Sequence, residues 1–152
     1  MGRLQLALNV SDIDAAVDFY TKVFGVGPAK RQPGYANFAV ADPPLKLVLF
    51  EGAGEPGSLN HLGVEVDSTD EVVAATQRFQ SAGLETLVED SSTCCYATQD
   101  KVWVQGPDAQ RWEFYKVLAD SDTFFAPTPE ASECACDVPA TPATASASSA
   151  SS

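Results

Sequence analysis

The sequence predicts an α+β fold in which two tandem modules, each with the element order βαβββ, form one cup-shaped mixed sheet. The first observation is an internal repeat, because a strand-like alternation followed by an amphipathic helical pattern occurs twice. The second is that three short strand-like segments follow each helical pattern. The third is that 45% of the 152 residues are hydrophobic, which suffices for a sizeable core. We place the modules at residues 1–51 and 59–118, joined by a glycine-rich connector.

The first module begins with a strand at residues 4–10, whose alternation is expected to turn four side chains toward a helix: Leu4, Leu6, Leu8 and Val10. That helix lies between Ser11 and Gly25, because apolar residues recur there on one helical face: Ile13, Ala16, Val17, Tyr20, Val23 and Phe24. Three short strands follow, with a Pro-Pro turn before the last: residues 29–31, 35–40 and 45–50.

The second module repeats this order, starting with a strand at residues 60–66. Ser68 and Glu71 form a capping-box pattern at the start of a helix. The apolar face of that helix runs to a stop at Gly83: Val72, Ala75, Thr76, Phe79 and Ala82. Three strands are again expected, with a Gly-Pro-Asp turn before the last: residues 85–89, 98–104 and 111–118.

Polar side chains on the other face of the predicted sheet form a candidate metal site. Gln5 and His61 open the two modules and are 56 residues apart, as are Val10 and Val66, so they hold the same place in the repeat. If the modules pair about a pseudo-two-fold axis, both side chains enter one cup. Glu113 lies on the matching face of the last strand and completes a three-ligand site. Each residue alone fits an ordinary strand position, but the repeat favours ligation.

Net charge and cysteine usage restrict the partners. Nine Lys and Arg face 21 Asp and Glu, so a formal charge of -12 argues against nucleic acid or an anionic membrane surface as partner. A small ligand or a cation fits better. The N-terminal residues lack the pattern of a secretory signal and no stretch is long enough to cross a membrane, so we expect a cytoplasmic protein. In that compartment, the four cysteines are better explained as ligands or reactive thiols than as a disulfide framework.

Cys94 and Cys95 are adjacent, and adjacent thiols suit a soft, thiophilic centre. They could instead be two small buried hydrophobes, which is how free cysteine commonly behaves. Three hydroxyl residues precede them, so we expect a loop at the rim of the cup. Residues 119–152 contain no Lys or Arg and are rich in Ala, Ser, Thr and Pro, which predicts a disordered tail.

The duplicated modules, a candidate ligand opening the first strand of each, and the segment Gly-Pro-Asp-Ala-Gln-Arg-Trp-Glu113 resemble the vicinal oxygen chelate superfamily. The resemblance covers nearly all of residues 1–118. It implies the fold of that superfamily, in which a divalent metal ion sits in the cup. The segment Ser92-Thr-Cys94-Cys95-Tyr96 resembles the organoarsenical carbon-arsenic lyases, which are Fe(II)-dependent dioxygenases with cadmium-induced proteins as close relatives.

That second resemblance implies roles for individual residues. Gln5, His61 and Glu113 would hold Fe(II), while Cys94 and Cys95 would bind trivalent arsenic. Gln5 stands where the commoner pattern of this superfamily has histidine, and an amide oxygen is a weaker donor than imidazole. In the tail, Cys134 and Cys136 are either incidental or a mobile thiol pair that passes arsenic to the adjacent cysteines. Ordinary strand and turn roles explain four other polar residues, which we assign no function: Tyr35, Asn37, Tyr96 and Lys101.

The expected function is therefore Fe(II)- and O2-dependent cleavage of trivalent organoarsenicals, such as methylarsenite or reduced aromatic arsenicals, to arsenite. An alternative is a non-enzymatic thiol protein that sequesters cadmium or arsenite. A third is a glyoxalase-like or ring-cleaving enzyme in which the thiols are incidental. The sequence leaves open whether the chain is a monomer or a homodimer, and it assigns no catalytic residue beyond the metal ligands.

Overall fold

The computed structural model of this chain describes residues 2–94, 96–120 and 125–126. The elements follow the order predicted from the repeat, with two helices among the described residues. They are β1 (Arg3–Val10), α1 (Ile13–Phe24), β2 (Lys30–Gln32), β3 (Tyr35–Val40), β4 (Leu45–Glu51), β5 (Leu59–Glu65), α2 (Thr69–Ser81), β6 (Thr86–Cys94), β7 (Ala97–Gln105), β8 (Arg111–Asp120) and β9 (Phe125–Ala126). The predicted α+β fold of two βαβββ modules is confirmed.

The described strands form one mixed sheet in the order β2-β3-β4-β1-β5-β8-β7-β6-β9. The modules meet where β1 pairs with β5 in antiparallel fashion. Inside each module the first strand pairs in parallel with the last, β1 with β4 and β5 with β8. The centre of the sheet therefore carries the opening strands of both modules and the closing strand of the second module side by side.

Each helix covers one face of its own module. The cluster under α1 contains Ile13, Val17, Ala36, Phe38, Val40, Leu47 and Leu49, with Leu6, Leu8 and Val10 of β1 packed against it. The cluster under α2 contains Val66, Val72, Ala75, Phe79 and Val102. Three predicted apolar-face positions are wrong, because Leu4 is 45% exposed, Val23 is 53% exposed and Ala82 is exposed at the end of α2. The opposite face of β1 is more deeply buried, with Gln5, Ala7 and Asn9 all below 5% exposure.

The helix ends follow their capping residues. Asp12 accepts hydrogen bonds from the backbone of Asp14 and Ala15, and α1 stops at Gly25, whose φ of 73° favours glycine. The predicted cap of α2 is present in a variant form, in which Glu71 reaches back to the residue before the N-cap. The Ser68 side chain accepts from the Glu71 backbone at 3.3 Å, and the Glu71 carboxylate accepts from the Asp67 backbone N–H at 3.0 Å.

The cysteine segment differs from the prediction. A bulge between Glu89 and Ser92 interrupts the pairing of β6 with β7, after which pairing resumes up to Cys94 opposite Ala97. Cys94 therefore ends a strand instead of lying in a loop. The strand includes Asp90, Ser91 and Ser92, which looked like a loop because Asp and Ser are residue types common in turns.

The C-terminal boundary also differs in detail. Strand β8 extends to Asp120, and β9 lies within the segment predicted as a tail. Cys95, Cys134 and Cys136 lie outside the described residues. Within the part of the chain that is described, none of the helices is both long and apolar enough to cross a membrane.

Candidate functional site

Three polar side chains from adjacent strands meet on the inner face of the cup. Gln5 of β1, His61 of β5 and Glu113 of β8 are each below 5% exposure. Gln5 Nε2 lies 2.6 Å from Glu113 Oε2 and 3.2 Å from His61 Nε2. His61 Nε2 lies 2.9 Å from the same Glu113 oxygen. The three candidate ligands therefore converge on one point, as the strand alternation predicted.

Gly63 makes this convergence possible. It lies between Gln5 and Glu113 in the sheet, opposite Gln5 in the β1–β5 register and opposite Glu113 in the β5–β8 register. A Cβ atom at this position would come within 3.0 Å of Gln5 Nε2 and of Glu113 Cγ. Because glycine has no side chain, its two neighbours can meet over its backbone.

The orientation of His61 is set by a chain of buried amides. Its Nδ1 lies 2.7 Å from Asn60 Oδ1, which can only accept, so Nδ1 carries a proton. Asn60 Nδ2 in turn donates to Asn9 Oδ1 at 3.0 Å, and Asn9 Nδ2 donates to Ser58 Oγ at 2.9 Å. Nε2 is therefore the ring nitrogen that His61 presents to the centre of the cup. In metal-binding histidines, a hydrogen bond from the other ring nitrogen commonly fixes the ring in this way.

Tyr115 holds the amide of Gln5. Its hydroxyl donates to Gln5 Oε1 at 2.5 Å. Burial raises the pKa of Tyr115 well above its ordinary value, and the nearby charge of Glu113 adds to the shift, so the hydroxyl keeps its proton. A tyrosine hydroxyl can also accept a hydrogen bond, so a flipped amide would donate to Tyr115 and turn its oxygen toward His61 and Glu113.

Glu113 stays ionised although it is buried. Burial by itself would raise its pKa, but the charges of Lys101 and His61, with hydrogen bonds from both, hold the pKa well below the ordinary value. Lys101 Nζ lies 3.0 Å from Glu113 Oε1. Lys101 is 1% exposed, and its ammonium lies 5.4 Å from the ring centre of Trp103. The carboxylate thus has one oxygen beside a fixed cation and the other facing Gln5 and His61.

These donors fit a divalent metal ion. Ligands on one face of an octahedral ion with bonds of about 2.1 Å lie about 3 Å apart. The positions of Gln5 Nε2, His61 Nε2 and Glu113 Oε2 are separated by 2.6, 3.2 and 2.9 Å, and a flip of the Gln5 amide would put its oxygen at the Nε2 position. Among the described residues, no group of three or more His, Cys, Asp and Glu side chains is arranged to hold a metal. Among the residues that the structure describes, the amide of Gln5 is the candidate third donor beside His61 and Glu113.

A cavity of about 270 Å³ lies beside these donors. It is lined by both modules, including Lys30 and Tyr35 of the first and Ala97 and Asp120 of the second. Ala97 pairs with Cys94, so the end of the cysteine hairpin borders the cavity. The cavity has room for a small substrate next to a metal held by the three donors.

Sequence reasoning assigned no role to four residues that shape the site: Asn60, Gly63, Lys101 and Tyr115. A glycine inside a strand pattern is a signal of close approach, and this signal could have identified Gly63. Lys101 left a weaker signal, as a lysine directly before the apolar run Val102-Trp103-Val104. The structure brings Gln5, His61 and Glu113 together, while their role as metal ligands and the arsenic-binding role of Cys94 and Cys95 stay predictions.

Similarity to known proteins covers most of the chain. Residues 2–114 match the Glyoxalase/Bleomycin resistance protein/Dioxygenase superfamily. Cadmium-induced protein CadI of Mycobacterium tuberculosis is 63% identical over 124 residues, which cover 82% of each chain. The trivalent organoarsenical cleaving enzyme of Thermomonospora curvata is 57% identical over 124 residues, which cover 81% of this chain and 82% of that protein.

Solved structures share the fold at lower identity. The Mn(II)-bound glyoxalase from Novosphingobium aromaticivorans matches with a TM-score of 0.57 and 18% identity, over 80% of this chain and 42% of that one. Homoprotocatechuate 2,3-dioxygenase from Arthrobacter globiformis matches with a TM-score of 0.58 and 19% identity, over 79% of this chain and 37% of that one. At this identity the likeness concerns the fold alone.

We predict that Gly63→Ala weakens metal binding at least tenfold. The added methyl group enters the space in which Gln5 and Glu113 meet, so their donors are pushed apart. The measurement is anaerobic titration with Fe(II), alongside thermal unfolding of the apoprotein. Gly27→Ala is the matched control, because a Cβ there has nothing within 4 Å. Equal metal affinity in a folded Gly63→Ala protein would contradict the role of Gly63.

Proposed function

Because this chain belongs to the Glyoxalase/Bleomycin resistance protein/Dioxygenase superfamily, we propose that it is an Fe(II)-dependent dioxygenase that cleaves the carbon-arsenic bond of trivalent organoarsenicals. The observation that carries the proposal is the convergence of Gln5, His61 and Glu113 beside a cavity bordered by the end of the Cys94 hairpin. The 57% identity to an enzyme named for trivalent organoarsenical cleavage supports the substrate class.

The donor groups of the cup would hold the iron. His61 would ligate through Nε2, Glu113 through Oε2 and Gln5 through its amide oxygen. Iron(II), when bound, supplies the one-electron chemistry that O2 needs. Lys101 keeps the Glu113 carboxylate ionised before a metal arrives. Tyr115 holds the Gln5 side chain at the cup centre, where a flip of the amide would turn its oxygen toward the metal.

The two adjacent thiols would hold the substrate. In this proposal, Cys94 and Cys95 each replace a hydroxyl group on trivalent arsenic and release water, so no depressed thiol pKa is needed. The organic group then stays bonded to arsenic and lies in the cavity beside the metal donors. Holding both reactants in one enclosed site supplies much of the rate acceleration expected of such an enzyme.

The proposed reaction balances for methylarsenite. CH3As(OH)2 and O2 give As(OH)3 and HCHO. The carbon-arsenic bond, one carbon-hydrogen bond and the O2 bond break, while an arsenic-oxygen bond, the carbonyl bond of HCHO and one oxygen-hydrogen bond form. Arsenic stays trivalent. The carbon loses four electrons and O2 gains them, so no further reductant enters the reaction.

A second candidate function is sequestration of cadmium or arsenite by the thiols without catalysis. The observation that favours it is the 63% identity to a protein named for induction by cadmium. A sequestering protein needs neither O2 nor an ionised Glu113. The third expected alternative, a glyoxalase-like or ring-cleaving enzyme, leaves the adjacent cysteines without a role.

We predict that arsenite appears from methylarsenite only when Fe(II) and O2 are both present. The measurement is arsenic speciation after incubation of anaerobically reconstituted protein with a thiol reductant, with and without O2.

Glu113→Gln should retain arsenical binding and lose at least 100-fold in rate, because a neutral amide replaces the ionised ligand. The matched control is Glu85→Ala, at an exposed carboxylate outside the cup. Bound but unchanged methylarsenite in the wild-type protein would contradict the enzyme and favour sequestration.

The tail cysteines enter as a separate proposal. We propose that Cys134 and Cys136 capture dilute arsenical and pass it to the adjacent thiols. Strand β9 supports this, because it pairs with β6 and places Phe125 opposite Cys94. Cys134 follows Ala126 by eight residues, and at about 3.3 Å per residue this segment can span about 26 Å. Tethering at this range raises the local thiol concentration at the cup.

We predict that truncation after Ala126 lowers the rate at substrate concentrations far below KM by several fold and leaves kcat unchanged. This cut keeps β9, so the hairpin contact is preserved. Initial rates over a wide range of methylarsenite concentration provide the measurement, with Cys134→Ser/Cys136→Ser in the full chain as the matched variant. Unchanged rates at low substrate in both proteins would exclude the relay.

A further inference from the structure

Tyr96, the residue before β7, has a backbone conformation that needs support from other parts of the protein. Cys94 and Ala97 form the last pair of the β6–β7 hairpin, which leaves two residues for the turn. Tyr96 has a φ of 64°, in the left-handed region that non-glycine residues rarely occupy. Such a backbone persists when contacts from the rest of the protein hold it.

Those contacts come from the far edge of the sheet. Lys30 Nζ donates to the Tyr96 carbonyl oxygen at 2.6 Å, and the same ammonium lies 3.1 Å from Asp120 Oδ1 at the end of β8. Lys30 belongs to β2, the first strand in the sheet order, whereas β6, β7 and β9 form the other end. Lys30 therefore bridges the two ends of the open sheet.

An aromatic contact adds to the bridge between Lys30 and Tyr96. The rings of Tyr35 and Tyr96 lie with centroids 5.0 Å apart at 56°. Tyr35 is 3% exposed, and its hydroxyl accepts from Asn37 Nδ2 at 2.9 Å. Two residues of the first module thus contact Tyr96, the residue directly after Cys95: Lys30 binds its carbonyl oxygen and Tyr35 packs against its ring.

We propose that Lys30 is a positioning residue that holds the cysteine-bearing turn across the mouth of the cup, with the Tyr35 ring as its support. The substrate part of this inference rests on the proposed function, in which Cys94 and Cys95 bind arsenic. Lys30 acts through the backbone of Tyr96, the residue that follows the predicted arsenic-binding pair. Its two charge-assisted bonds add a contact between the modules at the mouth of the cup, away from the β1–β5 pairing.

The test compares Lys30→Met, Lys30→Arg and the control Lys22→Met. Lys22 is an exposed lysine of α1 paired with Asp18, so it loses a similar charge far from the cup. The first readout is amide hydrogen exchange of the peptide spanning residues 91–99 in the substrate-free protein. We expect exchange about tenfold faster in Lys30→Met, the scale of one lost charge-assisted hydrogen bond. We expect no change in Lys22→Met and near wild-type exchange in Lys30→Arg.

The second readout separates positioning from general destabilisation. We expect Lys30→Met to raise KM for methylarsenite about tenfold, with kcat within about twofold and Fe(II) affinity unchanged, and Lys30→Arg to restore most of the loss. The proposal would be overturned if Lys30→Met showed wild-type exchange and wild-type KM. It would also be overturned if Lys30→Met lowered Fe(II) affinity while it raised KM, because that result indicates general destabilisation of the site. If the wild-type protein neither binds nor cleaves methylarsenite, the proposed function fails, and hydrogen exchange still tests whether Lys30 holds the turn.

Discussion

The antiparallel pairing of β1 with β5 is the constraint on which the rest of the structure depends. It joins the two modules edge to edge and puts the opening strands of both at the centre of one sheet. Because Gln5 and His61 hold equivalent places in these strands, the pairing brings their side chains together. The parallel pairing of β5 with β8 then adds Glu113. The two helices pack on the other face with separate apolar clusters, so the inner face is available for polar groups.

Burial of the charged groups at the centre of the cup has a free-energy cost. Glu113 is 4% exposed and Lys101 is 1% exposed, and removing such charges from water costs several kcal/mol per ion. Their mutual attraction and the hydrogen bonds around them offset that cost, but apolar side chains of similar volume would often be at least as stable. We therefore interpret the ionised pair as a requirement of the site. It supplies a fixed carboxylate donor whose partners are in place before any ligand binds.

Much of the fold could be predicted because two periodicities and a repeat are legible in the sequence. Alternation along the strands indicates which residues share a face, and the repeat indicates which strands pair. These two patterns together predicted that Gln5, His61 and Glu113 lie in one cup. The same rules misjudged Leu4, which lies outside the cluster on α1. Alternation gives the direction of a side chain and not what covers it.

Other features depend on contacts that no local pattern shows. The burial of Lys101 results from β7 pairing with β8, which places it opposite Tyr115 and beside Glu113. The length of β6 depends on a bulge near Ser91, whose φ is 52°. The segment Asp90-Ser91-Ser92 consists of residue types that are common in turns, so it does not indicate a strand. The contact between Lys30 and Tyr96 joins residues 66 positions apart at opposite ends of the sheet. Such contacts follow from how the sheet curls, which depends on the whole chain.

The most direct test of the account is X-ray absorption at the arsenic and iron edges of the anaerobic Fe(II) protein with one equivalent of methylarsenite. It is best done in a Cys134→Ser/Cys136→Ser background, so that Cys94 and Cys95 are the thiols present. We expect two sulfur ligands on arsenic and a shell of nitrogen and oxygen ligands on iron. Cys95→Ser should lose a sulfur ligand from arsenic and leave the ligand shell of iron unchanged. Sulfur bound to iron, or arsenic ligated by oxygen alone, would contradict it.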